Sequence, residues 1–149
     1  MKEEAKQRGR VVFELFQKDV PHTCENFRVL CTGEMSAQKY YKDSRIHRVV
    51  PGFCIEGGDT SAAMDGKGGK SIYDDQHDPD LIHSKDGLFE DENVWLPHTH
   101  MGVISMLNEG KNTNGSRFVI STKDRIEYFD EKFVLFGRVI DGWEFIDLI

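Results

Sequence analysis

Apolar and polar positions along this chain change over in short bursts, and only two stretches carry the wider spacing of a helix. Residues 9–16 are rich in Val and Phe with Glu14 inserted, a pattern that predicts a strand. Pro21 suits the first turn of a helix and Gly33 its stop. Between them Val20, Cys24, Phe27, Leu30 and Cys31 fall on one face, with Glu25, Asn26 and Arg28 on the others. That face is expected to pack on a sheet and to bury both thiols. Residues 46–50 and 53–56 predict two short strands around Pro51-Gly52, and a glycine-dense loop follows at 65–71. Residues 74–88 show no periodicity and read as an acidic loop insertion. Strands are expected at 102–106, 118–121 and 133–140, and a short apolar helix from 143. Many short strands with a helix near each end predict a closed β-barrel capped by helices.

Composition narrows the class. At 149 residues, 38% hydrophobic and 30% charged, the chain fits one soluble domain with a real core. No apolar run approaches the ~20 residues that span a bilayer, and residues 1–6 are too polar for a signal peptide. Cys24, Cys31 and Cys54 are odd in number and lack CxxC spacing, so a reduced, cytoplasmic protein is expected. On that expectation the glycosylation sequon Asn114-Gly115-Ser116 has no consequence. The net charge of −7 is concentrated between Asp74 and Glu92, where eight acids face Lys85 alone. With the rest of the chain balanced, no basic face offers itself to nucleic acid.

Several candidate chemistries weaken on inspection. Gly69-Lys70-Ser71 hints at a phosphate loop, but that motif needs a glycine at position 64, where Met64 stands. His77, His83, His98 and His100 lie in polar segments without a rigid frame, so solvated loop residues are expected rather than metal ligands. His47, next to Arg48 on a strand, should point to the opposite face and be satisfied there. Cys54 has no thiolate-stabilising charge on its own face and reads as an inert wall residue. Arg48 is different: a fork of donors placed in a β-branched run, just before Pro51-Gly52-Phe53, needs a partner or a task.

The order and spacing of several segments resemble the cyclophilins, which are peptidyl-prolyl cis–trans isomerases. These segments are Phe13-Glu14-Leu15-Phe16, Glu25-Asn26-Phe27-Arg28, His47-Arg48 with Pro51-Gly52-Phe53, Gly57-Gly58-Asp59, Phe89-Glu90-Asp91-Glu92-Asn93 and Asn112-Thr113-Asn114-Gly115-Ser116. The resemblance implies a mainly β fold, an eight-stranded antiparallel barrel closed by two helices. It implies no metal or cofactor and a monomer that acts on proline-containing peptides and proteins. The family's first and last strands have no recognisable counterpart, so a single domain trimmed at both ends is expected over residues 1–149. By resemblance Arg48, Phe53 and Asn108 are catalytic. Cys54, Glu56, Gly66, Leu107, Glu109, Arg117, Val119, Tyr128, Phe129 and Phe133 line the substrate groove.

Departures from the family pattern set further expectations. Glu56 and Arg117 stand where Gln is usual, Cys54 replaces Met, Val119 replaces Phe, Tyr128 replaces Trp and Phe133 replaces His. The pocket should be roomier unless Phe129 and Phe133 fill it. Glu56 is expected to accept a bond from Arg48 or Arg117, with Arg117 offsetting the added carboxylate. Cyclosporin binding should be weakened by the loss of the indole donor at Tyr128. The alternative to an isomerase is a proline-peptide binding or scaffold domain with little turnover.

Overall fold

A computed structural model describes residues 8–73 and 82–149. Helix α1 (Pro21–Thr32) starts on its proline and ends at Gly33, whose left-handed φ of 67° lets its N–H close on Val29 O at 2.8 Å. Glu92 caps the other end from far along the chain, taking His22 N at 2.9 Å and Thr23 N at 3.0 Å. The buried face holds Thr23, Cys24, Asn26, Phe27, Val29 and Leu30. Cys31 is exposed, contrary to expectation, because the stripe is centred nearer Asn26 and Phe27. Asn26, expected outside, is fully buried: it donates to Gly115 O at 3.0 Å and accepts from Ile72 N at 2.9 Å. A buried amide satisfied on both sides ties helix to loop.

The strands are β1 (Val12–Leu15), β2 (Arg48–Val50), β3 (Cys54–Gly57), β4 (Ser84–Lys85), β5 (Leu88–Phe89), β6 (Val103–Met106), β7 (Phe118–Ser121) and β8 (Leu135–Asp141), with a short helix α2 (Trp143–Ile146). Six of them form one antiparallel sheet in the order β1-β8-β6-β7-β3-β2. Among the described residues this sheet is open, with β1 and β2 at its edges, and the expected closure into an eight-stranded barrel is not seen there. β4 and β5 pair as a separate hairpin. The reading of 74–88 as an unstructured loop therefore fails over its second half, while 74–81 lies outside the described residues. Asp86 and Gly87 both take positive φ (55° and 75°), which a two-residue hairpin turn demands.

Alternation along the central strands sorts side chains onto two faces. Ile55, Ile104, Met106, Phe118 and Ile120 join Phe27 and Phe136 in the main core. Their neighbours Cys54 and Val119 face the other way, into a smaller cluster with Ile126 and Phe129. That second face carries the site.

Candidate active site

The β2–β3 hairpin places Arg48. Pro51-Gly52 turns the chain, with Gly52 at φ 68° and Phe53 N bonded to Val50 O at 3.0 Å, so Arg48 and Glu56 become direct cross-strand partners. Arg48 Nη1 donates to Glu56 Oε1 at 2.7 Å. The arginine side chain is 62% exposed and the glutamate 10%, so a buried carboxylate anchors a guanidinium that stands in the open. The other oxygen, Glu56 Oε2, is 3.8 Å from His47 Nε2. His47 precedes β2 and escapes strict alternation; its ring is buried with neither nitrogen hydrogen-bonded among the described residues, which overturns the expectation of a satisfied histidine.

Beside the hairpin lies an aromatic hub. Phe129, on a 3₁₀ turn over Glu127–Phe129, meets Phe53 at 5.5 Å and Phe133 at 4.9 Å between ring centres, above Cys54 and Val119. The volume left by these two small residues is taken up by phenyl rings rather than left open. Tyr128 projects outward at 67% exposed, with Lys132 Nζ 3.5 Å above its ring. Burial and the charge of Glu56 push the Cys54 thiol up to about 11, against a smaller pull from Arg48. Cys54 is a wall residue and no nucleophile.

His98, expected in solvent, is 2% exposed and fixes the turn from behind. Asp130 Oδ1 accepts from His98 N at 2.7 Å and pairs with Nδ1 at 2.9 Å, while Nε2 meets Ser105 Oγ at 2.7 Å. Ile126 N also bonds His98 O at 2.9 Å. The Phe129 ring rests against the imidazole at 5.5 Å. His83 and His100 are exposed, and no metal-ligating cluster occurs among the described residues.

The remaining groove residues hold each other. Arg117, 8% exposed, donates Nη2 to Glu109 Oε1 at 2.8 Å and Nη1 to Gly66 O. It thus straps two loops and makes no bond to Glu56; of the two donors expected for that carboxylate, Arg48 is the one that bonds it. Leu107 N bonds Arg117 O at 3.0 Å, and Asn108 Nδ2 bonds Lys132 O at 2.9 Å. The glycine-dense loop cradles a carboxylate of its own: Asp59 accepts from Ser61 N, Gly66 N and Gly68 N at 2.9, 2.9 and 3.2 Å. Burial acts to raise the Asp59 pKa, but these donors outweigh it and hold the group below its usual value. An anion nest already filled from within explains why the phosphate-loop hint comes to nothing. Asn114 of the sequon is fully buried, with Nδ2 on Phe89 O and Asp91 Oδ1.

A cleft of about 910 Å³ shares Asn108, Tyr128 and Phe133 with this site and also takes in Trp95, which is 85% exposed. Nothing in the spacing of the sequence marked Trp95, and the His98–Asp130 pair joins positions 32 residues apart.

The family description cyclophilin type peptidyl-prolyl cis-trans isomerase/CLD matches residues 1–149. The chain is 46% identical over 141 residues to the E3 SUMO-protein ligase RanBP2 of Homo sapiens, covering 95% of this chain and 4% of that protein. A crystal structure of a Cryptosporidium parvum cyclophilin type peptidyl-prolyl cis-trans isomerase superposes with a TM-score of 0.73 at 33% identity, over 93% of this chain and 75% of the other. An exposed arginine on a short hairpin, beside an aromatic wall and a strapped groove, is thus found in a chain that belongs to the cyclophilin-type peptidyl-prolyl cis–trans isomerase family.

Proposed function

We propose that this chain catalyses rotation about X–Pro bonds in peptides and proteins. Resonance sets a barrier of ~18–20 kcal/mol, and the uncatalysed step takes tens of seconds or more. Bringing it to about a thousand turnovers per second takes ~7 kcal/mol off that barrier. No bond is made or broken, so the site need only fit the twisted amide better than either planar form. Twisting returns a lone pair to the imide nitrogen, and a fixed donor placed there stabilises it. Arg48 supplies the donor, with Phe53, Phe129 and Phe133 receiving the proline ring. Asn108 offers its main chain to an extended substrate; among the described residues no hydrogen bond reaches that N–H or C=O.

The observation that carries this reading is the exposed Arg48 guanidinium held at 2.7 Å by the buried Glu56. The same contact favours the second reading, a proline-peptide binding domain, because a full carboxylate competes for the donor that the twisted amide needs. A coupled proteolysis assay on an Ala-Pro peptide separates them. A wild-type rate well above that of Arg48→Ala upholds the isomerase; equal low rates leave the binder.

A monomer in a reducing compartment belongs to the same proposal, in keeping with three free cysteines. So does weak cyclosporin binding, since Tyr128 offers a hydroxyl already flanked by Lys132. Closure into an eight-stranded barrel would need strands paired to the outer edges of β1 and β2.

A further inference from the structure

The isomerase reading leaves the larger part of this cleft unused. Beyond the residues shared with the groove, its lining includes Trp95, Asp19, Asp91, Glu92 and Glu131, against Lys111 and Lys132. Lys132 is already committed to the Tyr128 ring at 3.5 Å. Glu92 is occupied by the start of α1, and Asp91 by Asn112 N and Asn114 Nδ2, at 3.0 and 2.8 Å. Among the described residues, the carboxylates of Asp19 and Glu131 enter no hydrogen bond or ion pair. Trp95 stands at the lip with 85% of its surface in water, more than any other large apolar residue recorded as exposed. An indole left so open costs solvation unless something covers it, and its face is the best aromatic partner for a cation.

Resting on the proposed function, we infer that this part of the cleft is a specificity subsite for a lysine or arginine in the flank of the proline-bearing substrate. Continuity decides the occupant: Asn108, Tyr128 and Phe133 belong both to the cleft and to the groove that receives the proline, so one extended chain runs from one to the other. Charge decides the side chain. Four acids against two lysines, one of them already engaged, attract a cation and repel an acid. The stem of a long basic residue lies along the indole while its head reaches Asp19 or Glu131.

The test uses fluorescently labelled Ala-Pro peptides extended by four residues on the N-terminal or the C-terminal side, each flank made with either two lysines or two glutamates. Anisotropy titrations of the intact chain should show the lysine flank binding about three- to tenfold tighter on one side of the proline, an advantage that fades with added salt. Trp95→Ala and the double variant Asp19→Asn/Glu131→Gln should each shrink that ratio towards one. Equal affinity for both flanks on both sides, or a preference that survives in both variants, would overturn the subsite. Turnover of the unextended Ala-Pro peptide by the wild-type chain reports the isomerase reading separately. A flank preference without such turnover sinks that reading and leaves a basic-flank peptide binder.

Discussion

Two aromatic hubs sit on opposite faces of the same strands and are built to different ends. Phe27 meets Phe13, Tyr41, Phe118 and Phe136 at 5.1–5.8 Å, with Phe136 wholly buried and the Tyr41 hydroxyl spent on Ser116 O at 2.6 Å. Phe129 meets Phe53, His98, Tyr128 and Phe133 at 4.9–6.2 Å, in a shell that includes an imidazole and an open hydroxyl. Residues one position apart, Phe118 and Val119 or Ile55 and Cys54, are assigned to different hubs by strand alternation alone. The first hub gives stability, and the second is the one the proposed function turns towards the substrate. A mutation in either should therefore fail in a different measurement.

The largest effect should come from the core hub. Phe136→Ala opens a cavity in a close-packed interior and should cost about 3–5 kcal/mol in urea unfolding. Any loss of turnover should follow the folded fraction. Arg48→Ala should do the reverse. Its side chain is mostly exposed, so unfolding should barely change, while turnover on an Ala-Pro peptide should fall by about 10²–10³-fold with the loss of one aimed donor. A large stability loss in Arg48→Ala would mean that the anchor to Glu56, rather than the free face of the guanidinium, is its purpose.

How far each hub is legible in the sequence follows from the range of its signals. Helix α1 is bounded by Pro21 and Gly33, both local punctuators, and its limits match expectation. The Arg48–Glu56 pair is legible because Pro51-Gly52 fixes a tight hairpin, and register does the rest. The β4–β5 hairpin was hidden by strands only two residues long, although Asp86-Gly87 is a strong turn signal. Asn26 and His98 look like surface residues because their satisfaction comes from Gly115, Ile72, Asp130 and Ser105, distant in sequence. The partners of Arg117 are not legible for the same reason. Its partners, Glu109 and Gly66 O, are supplied by two loops whose approach no periodicity encodes.

That strap shapes the next prediction. Since Arg117 and Glu56 share no bond, Glu56→Gln and Arg117→Gln should act additively on turnover, within about 0.5 kcal/mol in a double-mutant cycle. Glu56→Gln alone keeps an acceptor for Arg48 but drops the charge, and should raise turnover about two- to fivefold by loosening the hold on the donor. A strong coupling would place the two residues in one network, as the charge swap first suggested, and would demand a rearranged strap in solution.

The smallest effect is a pH dependence that only the ligand-facing hub should show. Burial holds the His98 pKa below its ordinary 6.5 and outweighs the opposing pull of Asp130. The unfolded chain therefore takes up this proton before the folded one does. Stability from His98 is complete above about 6.5 and drains away as pH falls towards the lower folded value, with a slope bounded by about 1.4 kcal/mol per pH unit. Asp130 adds a second loss at more acid pH. Burial opposes the shift, yet the His98 bonds and nearby charges hold its carboxyl below 3.8, so its contribution goes as pH drops through that lower value. His98→Gln can bond Asp130 and Ser105 without titrating, so the difference between the two unfolding curves isolates the first loss. Because Asp130 and Ile126 tie the Phe129 turn to His98, turnover should weaken once pH falls through the lower folded value in the wild type and stay flat in the variant. Parallel unfolding curves would mean that folding leaves the His98 pKa at its ordinary value, and parallel turnover profiles that the second hub is as inert to acid as the first.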